Sequence, residues 1–204
     1  MARLVARQRK EPGEGLLGTL VREYGEGIED RELAGIGDLL LLGGHETTAN
    51  MLALSSLLLL QNPEHQDALT DPGRLAGLVE EMLRYLCVVQ TGVPRVAHCD
   101  TVLAGRPIRR GERLLCSLPS GNRDEASTHT PEEFDPTRRA TGPLAFGHGI
   151  HYCLGAPLAR MELRTALPAL FGRFPTLRLA APVAELRFRA WSAIYGISAL
   201  PVTW

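Results

Sequence analysis

Apolar residues recur with a helical period over most of the chain, and turn residues punctuate the pattern. This pattern predicts helices near residues 2–9, 14–24, 30–61, 63–69, 73–87 and 156–171. Asp30 is the expected N-cap of the long helix, which stops at Asn62-Pro63. A helix of this length spans about 45 Å.

The pattern changes character between residues 91 and 118. Short apolar runs there are broken by glycine and proline, which is typical of short strands in a small sheet. Residues 119–150 are predicted to be loop, and residues 177–203 a final pair of strands. We therefore expect a mainly α fold with a small β-sheet.

Composition restricts the possible classes of protein. The chain has 204 residues, of which 45% are apolar and 22% charged, with a formal net charge of -1. These values are ordinary for a soluble globular protein and give no argument for nucleic acid as a partner. The apolar stretch 33–60 contains Asp38, Glu46 and other polar residues, which favours a buried helix over a membrane span. The four cysteines, at positions 87, 99, 116 and 153, form no CxxC pair and are read as reduced thiols of a cytoplasmic protein.

The segment 146–155, Phe-Gly-His-Gly-Ile-His-Tyr-Cys-Leu-Gly, is the most informative part of the chain. It places Cys153 between glycines, just before a predicted helix. A thiolate at this position gains from the positive end of the helix and from uncovered backbone N–H groups. Such a loop suits a permanent thiolate ligand. Two alternatives are an inert buried thiol and a zinc site that also uses His148 and His151, although no fourth zinc ligand is nearby.

A second unusual segment, Gly-Gly-His-Glu-Thr-Thr at 43–48, lies in the middle of the long helix. Each mid-helix glycine costs roughly 1 kcal/mol relative to alanine, so the pair needs a reason. Gly43 precedes Thr47 by four residues, which opens a groove beside the threonine hydroxyl. Glu46 and Thr47 could there hold a diatomic ligand and relay protons. The alternative is helix packing through small residues; a His-Glu-x-x-His zinc site is excluded because position 49 is alanine.

The segment 146–155 resembles the haem-ligand loop of cytochrome P-450 monooxygenases, Phe-Gly-x-Gly-x-[His/Arg]-x-Cys-x-Gly, at all six fixed positions. The resemblance implies that Cys153 is the axial thiolate of haem b, iron protoporphyrin IX. Further residues implied to bind the cofactor are Phe146, Gly149, His151 and Gly155 in the loop, and Arg95 further upstream. His151 and Arg95 would contact haem propionates.

The segment 43–48 is similar to the family's central-helix motif, in which Thr47 would hydrogen-bond dioxygen and Glu46 would be the acid of the proton relay. Glu81 and Arg84 resemble the family's buried Glu-x-x-Arg pair; taken alone they would be read as a surface ion pair.

Two positions depart from the family's pattern, and one of them is Pro143, which replaces a histidine frequently found three residues before the Phe of the loop. Where many relatives carry an arginine that joins the Glu-x-x-Arg pair, this chain has Glu133. The reversed charge would have to be compensated by Arg123 or Arg138.

The resemblance implies the C-terminal half of the cytochrome P-450 fold, with residues 1–204 forming one partial domain. Residues 30–61 would be its central dioxygen-side helix. The implied activity inserts one atom of dioxygen into a small organic substrate. Because no flavin or nicotinamide motif is present, electrons would come from a ferredoxin- or flavodoxin-type partner. The alternatives are an inactive remnant of such an enzyme and one half of a split protein with a separate N-terminal half.

Overall fold

Helices dominate the computed structural model, which describes residues 1–138, 142–189 and 192–204. The α-helices are α1 (Ala2–Lys10), α2 (Leu16–Tyr24), α3 (Asp30–Gln61), α4 (Pro72–Leu86), α5 (Leu118–Gly121) and α6 (Ala156–Arg173). Short 3-10 helices lie at Gly25–Gly27, Pro63–Leu69, Leu144–Phe146, Gly149–His151 and Val183–Glu185. The helices predicted from the apolar period are confirmed, with the segment after Asn62 adopting 3-10 rather than α geometry.

The strands are short and pair only in twos within the described residues. They are β1 (Arg95–Val96), β2 (Thr101–Leu103), β3 (Arg106–Ile108), β4 (Arg113–Leu114), β5 (Arg178–Leu179) and β6 (Val202–Thr203). The antiparallel pairs are β1 with β4, β2 with β3, and β5 with β6. A single sheet over 91–118 was expected, but the two pairs there stay separate. Ala104 and Gly105, both at positive φ, turn β2 directly back onto β3.

The described residues group into two compact units, 1–46 and 47–204. In the first unit α1, α2 and the start of α3 surround a small core of Val5, Val21 and Leu33. Arg9 pairs with Asp30 at 2.8 Å and donates to the carbonyls of Gly25 and Ile28. Asp30 is the first helical residue rather than the N-cap that the sequence predicts, and its carboxylate accepts a hydrogen bond from Arg9.

In the second unit the core lies between the C-terminal part of α3, α4 and α6. Fully buried side chains from these helices include Leu59, Leu78, Met82, Leu163 and Leu167. Burying each such side chain contributes about 1.5–3 kcal/mol. Helix α4 begins sharply because the Asp71 carboxylate accepts hydrogen bonds from the amides of Gly73 and Arg74.

Burial along α3 differs between its middle and its two ends. Leu33 near the start and Met51, Leu54 and Leu59 further on are buried, whereas Leu39 and Leu42 are 69% and 74% exposed. The described residues therefore leave the apolar side chains in the middle of this helix uncovered. Despite the length of α3, no helix among the described residues has the length and apolar character to cross a membrane.

Candidate cofactor-binding site

The backbone of the cysteine loop is held by its own hydrogen bonds. The Cys153 amide donates to the carbonyl of Phe146 at 3.0 Å, and the Tyr152 amide donates to Gly149 at 2.9 Å. Gly147 and Gly149 have φ angles of +73° and +80°, a region that residues with a Cβ rarely adopt. The glycine spacing of the segment is therefore required by the turns that bring Cys153 back beside Phe146.

The surface around the thiol is open and partly apolar. Cys153 and His151 are exposed, and neighbouring Ile150 and Leu154 are 96% and 80% exposed. An accessible thiol next to uncovered aliphatic side chains can bind a mostly apolar ligand that carries a thiophilic metal. Since Cys153 is exposed, the inert buried thiol is the wrong reading of this residue. In the part of the chain that the structure describes, no group of three His, Cys, Asp or Glu side chains could hold a metal ion.

Phe146 packs on the core of the second unit rather than lying free in the loop. Its ring lies 4.6 Å from the guanidinium carbon of Arg160 and makes an edge contact with Tyr152, with centroids 6.2 Å apart. Arg160 in turn binds Glu80 on α4. Sequence analysis missed Arg160 because its partner lies eighty positions upstream, and no local spacing signals this pairing.

Glu46 and Thr47 lie next to each other on α3, both half-buried. A Cβ added at Gly43 or Gly44 would meet no atom of the described residues within 4 Å. Close packing against a neighbouring element therefore does not explain the two glycines. The groove that the sequence predicts beside Thr47 stays a prediction.

Arg95 lies on β1, exposed, with its Nη1 3.3 Å from the carbonyl of Val93. The structure thus brings the loop residues Phe146, Gly149, His151, Cys153 and Gly155 together. Glu46 and Thr47 belong to α3, and Arg95 to β1; their parts in one common site remain predictions.

The Glu81–Arg84 pair is buried, so the surface ion pair is the wrong reading of these residues. Nε and Nη2 of Arg84 each lie 2.8 Å from a carboxylate oxygen of Glu81, and both side chains are under 5% exposed. Arg84 also donates to the carbonyls of Asn122, Pro131 and Glu133. This pair ties α4 to the loop segment that leads to the cysteine.

Arg138 supplies the second cation on Glu81. Its Nε lies 3.4 Å from Oε1 of Glu81, and its Nη2 donates to the carbonyl of Glu133. Arg123 instead pairs with Glu132 at 3.1 Å and packs over the ring of Tyr85. Of the two arginines that the sequence leaves open, Arg138 therefore compensates the charge reversal at Glu133.

The structure combines a mainly helical fold with an exposed cysteine on a glycine-rich loop, and this combination can be compared with known classes of protein. Residues 75–181, just over half of the chain, match the family model described as Cytochrome P450. The chain belongs to the cytochrome P450 family, and family membership implies haem as the cofactor.

Individual relatives agree with this assignment. The chain is 46% identical over 205 residues to cytochrome P450-SU2 of Streptomyces griseolus, covering all of this chain and 50% of the relative. It is 45% identical to the 20-oxo-5-O-mycaminosyltylactone 23-monooxygenase of Streptomyces fradiae, covering 96% of this chain and 47% of the relative. The chain spans about half the length of the curated relatives it matches.

A solved structure gives the same result for the fold. OxyC, a cytochrome P450 implicated in an oxidative C–C coupling reaction during vancomycin biosynthesis, superposes with a TM-score of 0.95 at 45% identity. The match covers 99% of this chain and 52% of OxyC. The expected fold, mainly α and corresponding to the C-terminal half of a cytochrome P450, is confirmed.

Proposed function

We propose that this chain binds haem b through the thiolate of Cys153 and supplies the reaction centre of a monooxygenase acting on a small organic substrate. The observation that carries the proposal is the exposed Cys153 thiol on a glycine loop, surrounded by uncovered aliphatic side chains. The name of the Streptomyces fradiae relative, a 23-monooxygenase, supports the reaction class. Family membership supports the cofactor.

The residues of the chain fit the proposed cofactor. The Cys153 sulfur is a soft anionic ligand for iron, and the exposed His151 and Arg95 are suitable hydrogen-bond donors for the two propionates. Gly149 and Gly155 keep side-chain bulk away from the loop surface, and Phe146 anchors the loop to the core. Haem held by a thiolate supplies activation of dioxygen, because the sulfur pushes electron density onto the iron.

We assign proton handling to the neighbouring pair on α3. The Thr47 hydroxyl can donate one hydrogen bond and accept another, so it can orient a small oxygen ligand and pass a proton to it. We assign the half-buried carboxyl group of Glu46 as the general acid that supplies those protons.

Electrons are proposed to come from a separate ferredoxin- or flavodoxin-type protein. The family of the chain supports a redox partner of this kind.

A second candidate is one half of a split enzyme, in which a separately encoded N-terminal half completes the structure. The observation that favours it is the exposed apolar face on α3, where Leu39, Leu41 and Leu42 are each more than 60% exposed. Haem retention that appears only after co-expression with an N-terminal half from a relative would support this candidate.

The direct test is the spectrum of the reduced chain with haem and carbon monoxide. We expect the red-shifted Soret band of a thiolate-ligated haem from the wild-type chain and its loss in Cys153→Ser. Cys99→Ser and Cys116→Ser are matched controls, because these thiols are also exposed but lie outside the loop. Haem uptake with an unshifted band in the wild type, or a red-shifted band that survives Cys153→Ser, would contradict the proposed ligand. No uptake in any variant, whether or not an N-terminal half from a relative is co-expressed, would favour the inactive remnant.

A further inference from the structure

The guanidinium of Arg160 joins α4 and α6 to the cysteine loop. Its Nε and Nη2 lie 2.6 and 2.9 Å from the two carboxylate oxygens of Glu80 on α4. Its Nη1 lies 3.2 Å from the hydroxyl of Tyr152, and its carbon lies 4.6 Å from the ring centre of Phe146. One side chain therefore holds a helix partner and two loop aromatics at once.

All three nitrogens of the Arg160 guanidinium and one of its faces make contacts. A carboxylate that accepts two parallel hydrogen bonds fixes the plane of the group, which leaves one nitrogen for Tyr152 and one face for Phe146. Glu80 and Arg160 are each only 22% exposed, so the contacts are partly shielded from water. The hydrogen bonds that Arg160 donates to the Glu80 carboxylate raise the pKa of Arg160 further above its usual range, and the cation persists at every accessible pH.

The two aromatic residues border Cys153 on both sides of the turn. Tyr152 directly precedes the cysteine, and Phe146 accepts the hydrogen bond from the Cys153 amide through its carbonyl. Fixing the Phe146 ring and the Tyr152 hydroxyl therefore restricts the backbone from which the sulfur extends. The rings also contact each other, so that movement of one disturbs the other.

We propose that Arg160 is a positioning residue that holds the Cys153 loop in its ligand-presenting conformation, with Glu80 fixing the orientation of Arg160. The inference rests on the proposed function, because the orientation of Cys153 matters only if its sulfur is a ligand. Arg160 itself does not touch the reacting atoms.

Arg164 provides a matched comparison one helical turn later on α6. Its Nη2 lies 3.6 Å from the same carboxylate oxygen of Glu80, and this is the contact that the structure records for it among the described residues. Arg160→Ala and Arg164→Ala thus remove the same charge from the same partner. The first also removes the two hydrogen bonds to Glu80 and the contacts with Phe146 and Tyr152, so the amides of the α4 and α6 core serve as the control for the lost tie between the helices.

The test is amide hydrogen exchange, resolved by NMR, on the full chain without haem. We expect the amides of Tyr152 and Cys153 to exchange about tenfold faster in Arg160→Ala. Without Arg160, local opening of the loop no longer has to break the cation–π contact and the tyrosine hydrogen bond, so it costs less free energy. Arg164→Ala should change these rates by less than about twofold. Arg160→Lys should fall between Arg160→Ala and the wild type, because it keeps the charge but loses the two-pronged geometry.

Two exchange results would overturn the proposal. One is equal acceleration of the loop amides in Arg160→Ala and Arg164→Ala. The other is that, in both Arg160→Ala and Arg160→Lys, the loop amides and the core amides of α4 and α6 exchange faster by the same factor. Arg160 would then stabilise the packing of the two helices in general rather than the loop.

The haem–carbonyl spectrum gives an independent readout. We expect the red-shifted Soret band of the carbonyl complex to decay further over time in Arg160→Ala than in Arg164→Ala. Equal decay in the two variants would contradict the positioning role of Arg160. If the wild-type chain shows no thiolate band, the proposed function fails, whereas the exchange rates of the haem-free chain still decide whether Arg160 orders the loop.

Discussion

Nε of Arg138 lies 3.4 Å from Oε1 of Glu81, fifty-seven positions earlier in the chain. The same oxygen accepts from Nη2 of Arg84 and from the amide of Asp135. A carboxylate this deeply buried needs such partners, because an unpaired buried charge is strongly unfavourable. The second cation on Glu81 is Arg138, five residues after Glu133; Glu133 is itself negatively charged and cannot form an ion pair with Glu81.

The network around Glu81 makes Arg138 more important for stability than Arg123. We expect Arg138→Gln to lower the free energy of unfolding by about 2 kcal/mol, because a buried carboxylate loses a charged partner. Arg123→Gln should cost less than about 1 kcal/mol, since its partner Glu132 is mostly exposed. Urea unfolding followed by circular dichroism measures both, and a larger effect from Arg123→Gln would reverse the assignment.

The same glycine-to-alanine substitution should have opposite effects in two helices. A Cβ at Gly77 on α4 would lie 2.7 Å from the backbone oxygen of Pro136, whereas a Cβ at Gly44 on α3 meets open space. We expect Gly77→Ala to destabilise the protein in spite of the better helix propensity of alanine. Gly44→Ala should stabilise it by up to about 1 kcal/mol. Thermal unfolding of the two variants checks this, and a stabilising Gly77→Ala would show that the backbone around Pro136 adjusts easily.

The part of the fold that the sequence predicts is the part specified by local residues. The period of apolar residues places α4, whose first turn the adjacent Asp71 carboxylate caps, and the turns of the cysteine loop follow from Gly147 and Gly149. Pairings between distant segments were not predictable in this way. The choice of Arg138 over Arg123 depends on how the chain returns to α4.

Ion pairs between helices explain one prediction that was wrong, the N-cap role of Asp30, and one residue that the sequence does not signal, Arg160. Asp30 has the side chain of a good N-cap, but its contact with Arg9 comes from a different helix. The contact of Arg160 with Glu80 likewise joins two helices that are far apart in sequence. In both cases tertiary contacts decide what the side chain does, and a single sequence carries no spacing that reports them.

Burial of Cys87 should make stability depend on pH in the alkaline range. Loss of water around this thiol raises its pKa from 9.0 to about 11. Because the folded state then holds the proton more tightly than the unfolded chain, the stabilising contribution is fully present below pH 9 and lost as the pH rises towards 11. Cys87→Ser should therefore show a shallower alkaline loss of unfolding free energy than the wild type. Urea titrations across this range under reducing conditions measure the slopes; Cys99→Ser, at an exposed thiol, should keep the wild-type slope.

Two histidines in the cysteine loop allow a direct test of cofactor anchoring. His148 and His151 are both exposed and lie three residues apart, but only His151 occupies a position that we assign to a propionate. We expect His151→Ala to weaken haem binding about tenfold, because a charge-assisted hydrogen bond to a carboxylate is lost. His148→Ala should leave the affinity within about twofold of the wild type. Titration of the chain with haem, followed at the Soret band, gives both affinities, and equal weakening by the two substitutions would remove the specific role of His151.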